Sequence, residues 1–239
     1  MRHVFFLHGF ASSPASGKAA FLAERLRRHD LDLHCPDFNE PDFETMTVTR
    51  MIEQVDAAIA ALPPGPVALI GSSLGGFVAY HTAFRHAAAR GRARTTVRPI
   101  DRLVLLAPAF EFGRMPFGGM DEAGLAAWRE TDRYEVFHHA ENRPRAIRYA
   151  IYQDAQRYDS AHSVVDTPAL VFQGRQDTVV DPVMVQRFAA ARPAMSLRMV
   201  DDDHQLGASL DLMWREMAAF LGLCEQAPGR GRDSWRPKT

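Results

Sequence analysis

Gly71-Ser72-Ser73-Leu74-Gly75 is the stretch of this chain best suited to chemistry. It fits Gly-x-Ser-x-Gly, follows the apolar run Val67 to Ile70 and opens a helical pattern. A serine on so sharp a strand-to-helix bend takes a strained backbone conformation and projects its hydroxyl past the end of its strand. Glycines at 71 and 75 remove the Cβ atoms that would collide where strand and helix approach. Ser73 is thus the candidate nucleophile. Ser72 is out of register and reads as a packing or turn residue. The competing reading of the motif is a tight turn whose serine merely caps the helix.

A serine hydroxyl is a poor nucleophile until a base takes its proton, and the base needs a third group to orient it. His204 follows the last apolar run, Leu197 to Val200, and is the candidate base. Asp177 follows Ala169 to Phe172 and is the candidate orienting acid. Asp181 is its rival, although Asp181-Pro182 has the form of an N-cap with proline at the first helical position. Asp201, Asp202 and Asp203 precede His204. If close, they would favour imidazolium, but at least two of them are expected to face solvent. Acyl transfer also needs N–H donors for the oxyanion. Leu74, just after the nucleophile, is one. Phe10, in the loop His8-Gly9-Phe10-Ala11-Ser12-Ser13-Pro14, is the other.

The elements that must hold these residues alternate. Apolar strands are expected at His3 to Leu7, Leu31 to Cys35, Val67 to Ile70, Leu103 to Leu106, Ala169 to Phe172 and Leu197 to Val200. Helices are expected at Ser16 to His29, Leu74 to Arg90 and Pro182 to Ala191. The clearest helix carries Val48, Met51, Ile52, Val55, Ile59 and Leu62 on one face and ends at Pro63-Pro64-Gly65. A last helix carries Leu206, Leu210, Met213, Trp214, Met217, Phe220 and Leu221. Continuous apolar strands between helices imply an α/β fold, a mostly parallel six-stranded sheet covered on both faces.

Residues 1–107 and 167–224 read as the core, and 225–239 as a flexible tail. The segment 108–166 reads as a helical cap insertion with no convincing strand. Its aromatics are Phe110, Phe112, Phe117, Trp128, Tyr134, Phe137, Tyr149, Tyr152 and Tyr158. They are expected mostly in the cap's own core, although they could line a pocket. His138 and His139 read as surface residues, and Arg143, Arg145 and Arg148 as a solvated helix face. Gly113, Gly118, Gly119 and Gly124 suggest a lid that moves.

Composition closes off other classes. Of 239 residues, 46% are hydrophobic and 24% charged, which is ordinary for a globular chain. With 28 Lys+Arg against 29 Asp+Glu, no basic excess points to nucleic acid or an anionic membrane. Cys35 and Cys224 read as free thiols in a reducing compartment. No apolar run is long enough for a membrane span or a signal peptide. The expectation is a cytoplasmic protein, monomer or homodimer, acting on a small-molecule ester.

In the order Ser, Asp, His the chain resembles the α/β-hydrolase superfamily over about residues 3 to 221. His8-Gly9-Phe10 with Ser12-Ser13-Pro14 looks, more narrowly, like the small bacterial YqiA/YcfP-type serine esterases. The resemblance implies a Ser73–Asp177–His204 triad, Phe10 and Leu74 as oxyanion donors, no cofactor and no metal. It also implies a sheet lacking the two leading strands of the full-size fold. Asp202-Asp203 stand where full-size members often place glycine before the base. The implied function is a serine carboxylesterase-type hydrolase acting on an ester or thioester. An acyltransferase, a carbon–carbon-bond hydrolase and a non-catalytic binding protein on the same scaffold remain alternatives. A haloalkane dehalogenase is disfavoured because the bend holds serine, not aspartate.

Overall fold

A strand that is apolar on both faces must lie inside a sheet, and β3 (Val67–Ser72) is buried along its whole length. The structure is a computed structural model that describes residues 2–92, 98–114 and 117–223. Six strands form one sheet: β1 (His3–Leu7), β2 (Leu33–His34), β3, β4 (Ile100–Leu106), β7 (Ala169–Gly174) and β8 (Met195–Val200), in the order β2-β1-β3-β4-β7-β8. Every pairing is parallel. All six expected strands are present. The second is shorter than expected, pairing only Val4 with Leu33 and Phe5 with His34. β3 and β7 run on through Gly71-Ser72 and Gln173-Gly174. Small or polar residues there carry no strand signal, yet their ladders continue into β4 and β8.

Helices cover both faces. On one lie α2 (Val48–Ala61), α3 (Leu74–Arg92) and α6 (Pro182–Ala190), packed through residues such as Val55, Phe77 and Val185. On the other lie α1 (Gly17–Arg27) and α7 (Leu210–Phe220), packed through Leu22, Leu26, Met213 and Met217. In α2 the expected stripe is the buried face, and Thr47 caps the helix by accepting from the Arg50 N–H. Each such Val, Leu or Ile contributes about 1.5–3 kcal/mol by leaving water. The last helix starts later than its periodicity suggests. Leu206 precedes it in a turn with φ +55° and is fully buried.

The segment 108–166 departs from expectation. It contains a 3₁₀ turn (Phe117–Gly119), α4 (Glu122–Thr131) and α5 (Ala150–Ala155). It also contains an antiparallel hairpin of β5 (Tyr134–His138) and β6 (Arg143–Ile147). The insertion is mixed rather than helical. Arg143 and Arg145 lie on a strand, so no solvated helix face carries them. Most of its aromatics do pack inward: Phe110, Phe117, Trp128 and Tyr152 are buried, Phe112, Tyr134, Tyr149 and Tyr158 are partly buried against the same core, and Phe137 is half exposed. His138 is a correction. Only 1% of it is exposed, edge-on to Phe43. Its Nδ1 accepts from the Glu141 N–H, so Nε2 carries the proton and donates to Asn39 Oδ1 at 3.2 Å. Burial holds it below the ordinary histidine range. His139 is exposed, as expected.

Cys35 is a free, partly buried thiol that burial pushes up to about 11. Cys224 and the tail 225–239 lie outside the described residues. Among the described residues no helix is long and apolar enough to cross a membrane.

Candidate active site

Parallel strands with buried faces deliver their loops to one edge, the carboxyl ends, where open α/β sheets bind ligands. Phe10 follows β1, Ser73 follows β3, Asp177 follows β7 and His204 follows β8, all at that edge. Ser73 has φ +54°, a left-handed conformation for a residue with a side chain. Such strain costs on the order of 1–3 kcal/mol and persists only where the surroundings impose it. Here the Ser73 N–H donates to Leu106 O at 2.8 Å. The Ser73 carbonyl in turn accepts from Gly76, Phe77 and Ala109 N–H groups. A Cβ on Gly71 would lie 2.3 Å from Gly75 O, and one on Gly75 would lie 2.0 Å from Leu7 O. Gly76 is a third such position, facing Pro108.

Ser73 Oγ lies 3.1 Å from His204 Nε2, and His204 Nδ1 lies 2.8 Å from Asp177 Oδ2. An ionised carboxylate only accepts, so Nδ1 carries the ring proton and Nε2 is left to accept from the serine hydroxyl. Side-chain exposure falls from 14% at His204 to 0% at Asp177. Burial acts to raise the Asp177 pKa. The hydrogen bond from His204 and those from the Val180 and Val179 N–H groups outweigh it and hold the carboxyl below its ordinary value. Asp181 is the N-cap of α6, its Oδ1 accepting from the Val183 N–H, and it stands outside this relay.

Two buried polar groups brace the relay without any sequence signal of their own. Gln173 Nε2 donates to Asp177 Oδ2 at 2.8 Å. Asp202 is 7% exposed, and its two oxygens accept from the Asp203 and Ser209 N–H groups, both at 2.8 Å. Asp201 and Asp203 face solvent, as expected for two of the three. Asp201 pairs with Arg175 at 3.2 Å, and Asp203 Oδ1 accepts from the Gln205 N–H. Gly174 lets the base loop close in, because a Cβ there would lie 2.5 Å from the Asp202 and Asp203 carbonyls. Asp202→Asn removes one of two acceptors in a buried loop. The expected result is a loss of about 1–3 kcal/mol of stability, read as a lowered Tm, together with a fall in the activity proposed below. An unchanged Tm would show that Asp202 does not fix the loop.

The candidate oxyanion donors are Phe10, in the loop after β1, and Leu74, the first residue of α3. Among the described residues neither the Phe10 nor the Leu74 N–H donates to a protein acceptor. The Phe10 peptide is held through its other end. His8 is 1% exposed. Its Nε2 accepts from the Phe38 N–H at 3.0 Å, so Nδ1 carries the proton and donates to Gly9 O at 2.9 Å. Gly9 O and the Phe10 N–H belong to one peptide plane, so His8 sets the direction of that N–H. The hairpin turn of the insertion adds a second brace, His139 N–H donating to Ala11 O at 3.0 Å. The Phe10 ring packs against Phe43 and, edge-on, against Phe117 of the insertion. Among the described residues no cluster of His, Cys, Asp and Glu could hold a metal ion.

Comparison with known proteins identifies the family and the fold. Residues 3–221 match the uncharacterised protein family UPF0227. No curated protein matches the sequence. Among solved structures, a candidate hydrolase from Agrobacterium vitis S4 superposes with a TM-score of 0.76 at 21% identity, covering 91% of this chain and 87% of its own. Est1E of Butyrivibrio proteoclasticus, solved with ferulic acid bound, gives 0.75 at 17% identity, covering 92% and 88%. A monoacylglycerol lipase of Paleococcus ferrophilus gives 0.69 at 15% identity, covering 91% and 93%. At such identities these likenesses speak to the fold, which is that of the α/β hydrolases.

Proposed function

We propose that this chain, which belongs to the uncharacterised protein family UPF0227, is a serine hydrolase that cleaves a carboxylic ester or thioester through an acyl-enzyme on Ser73. The observation that carries the reading is the unbroken relay Ser73 Oγ, His204 Nε2, His204 Nδ1, Asp177 Oδ2, at 3.1 and 2.8 Å. Ser73 Oγ attacks the acyl carbonyl while His204 Nε2 takes its proton. Asp177 holds the ring and stabilises the imidazolium that forms. Negative charge gathers on the carbonyl oxygen between the Phe10 and Leu74 N–H groups, which among the described residues have no partner to give up. His204 then hands the proton to the leaving alcohol or thiol. Water, activated by the same ring, adds to the acyl-enzyme and releases the acid with Ser73 restored.

The segment 108–166 serves in this reading as the cover of the substrate site, with Phe117 meeting Phe10 at its edge. Esterase and lipase neighbours on the same fold support a small-molecule ester as substrate. The test is hydrolysis of p-nitrophenyl esters of increasing acyl length by wild type and Ser73→Ala. Wild type is expected to release p-nitrophenolate from at least one ester with saturation kinetics, and Ser73→Ala to fall to the background rate. Equal rates in the two proteins would overturn the proposal.

A further inference from the structure

A cavity of about 250 Å³ is walled in part by Ser72, the residue before the proposed nucleophile, and plays no part in the relay. It occupies the crevice between the carboxyl ends of β1 and β3. These strands are neighbours, but α1, following β1, and α3, following β3, cover opposite faces of the sheet. The chain therefore parts at this point, and open α/β sheets take ligands where it does so. Gly9, Ser72 and Gln205 line the cavity, and each adjoins a residue assigned to the site: Phe10, Ser73 and His204. A Cβ placed on Gly9 would touch Ser73 Cβ at 3.4 Å.

Phe6 and Leu210 give the cavity an apolar floor, and Ser12, Ser72 and Lys18 give it a polar wall. Ser12 and Ser72 hydroxyls have no hydrogen-bond partner among the described residues. Lys18 is the notable member. Only two of the 28 basic residues are lysines, Lys18 and Lys238. Lysine presents its charge as a compact ammonium on an unbranched stem, which suits a cavity of this size. Its Nζ has one hydrogen bond, to Gln205 Oε1 at 3.3 Å, and no ion pair among the described residues. Burial lowers its pKa, opposed at longer range by Asp203 and Asp202. An ammonium on the wall of a cavity, with no carboxylate paired to it among the described residues, is free to pair with an incoming anion.

We infer that the cavity at Lys18 binds an anionic group of the substrate, a carboxylate or a phosphate, while the ester lies against Ser73. The chain would then prefer esters that carry a negative charge near the scissile bond. The selectivity half of this inference rests on the proposed esterase reading, and the binding half does not.

Two measurements separate them. In the first, kcat/KM is determined for mono-p-nitrophenyl adipate and for its neutral methyl ester, with wild type, Lys18→Met and Lys18→Arg. Wild type is expected to favour the anionic ester. Lys18→Met is expected to lower the ratio of the two kcat/KM values roughly ten- to hundredfold, the weight of a charge-assisted hydrogen bond, and Lys18→Arg to retain part of it. A ratio that Lys18→Met leaves unchanged overturns the inference. In the second, the full chain is reductively methylated with ¹³C-formaldehyde and titrated with inorganic phosphate and, separately, acetate. The Lys18 signal, identified by its loss in Lys18→Arg, is expected to shift saturably with at least one of them while Lys238 does not. The anion that saturates it distinguishes phosphate from carboxylate. If neither shifts Lys18 more than Lys238, the inference fails. If wild type cleaves neither these esters nor any of the acyl-length series and Lys18 still titrates, the esterase reading fails and the anion site stands.

Discussion

Asp177→Asn lowers kcat by up to about 10⁴-fold, the loss expected when the group that orients a catalytic imidazole can no longer accept from its Nδ1–H. The amide can present an N–H to the ring instead, which favours the tautomer with its proton on Nε2. That proton then points at Ser73 Oγ, and the base has nothing with which to accept. KM should move far less than kcat, because Asp177 is buried under His204, away from substrate. Asp181→Asn is the control. Its carboxylate caps α6, so the expected change is a small loss of stability with kcat retained. Should Asp181→Asn remove activity while Asp177→Asn keeps it, the relay as drawn is wrong. The Asp177 pKa is depressed in the fold, so the stability its ionised form supplies is present above the unfolded carboxylate range. It is lost as pH falls through the folded value.

Gly75→Ala should unfold or severely destabilise the protein. An added Cβ would stand 2.0 Å from Leu7 O and 2.7 Å from His8 O, backbone atoms of strand β1 and of the residue that directs Phe10. Backbone on both sides cannot give way as a side-chain tip can. The cost should exceed the roughly 1–3 kcal/mol typical of overpacking. At about 2–4 °C per kcal/mol for a chain of this size, Tm should fall by some 10 °C or more. Gly17→Ala is the comparison, since nothing lies within 4 Å of a Cβ there. It should leave Tm level or raised. A Gly75→Ala protein with wild-type Tm would mean that helix and strand do not approach as closely as described.

The features legible in the sequence are those written by local chemistry. Val67 to Ile70 had to be a central strand because every residue in it is apolar. Ser73 could be found because glycines on both sides mark the bend. Asp181 ranks behind Asp177 because Pro182 follows it. The hairpin in the insertion was hidden. Its strands are five residues each, Tyr134–His138 is only half buried, and Pro144 breaks the second run. Proline is tolerated there because the strand lies at a sheet edge. His138 reads as surface because no local pattern marks it as buried, and its burial depends on Phe43 and Asn39, about a hundred residues away. Gln173 was missed for a related reason. A polar residue at a strand end gives no hint that it will meet a carboxylate beneath the sheet edge. Asp202 was masked by the two aspartates beside it, which do face water.

In the proposed mechanism Ser73 is a hydroxyl activated by its surroundings. The direct measurement is intact and peptide mass spectrometry after treatment of the native protein with a fluorophosphonate, which modifies activated serines. One adduct per chain is expected, on the peptide containing Ser73, absent from Ser73→Ala and strongly slowed in Asp177→Asn. Folded protein that stays unmodified at neutral pH, or an adduct on any residue other than Ser73, would contradict the account.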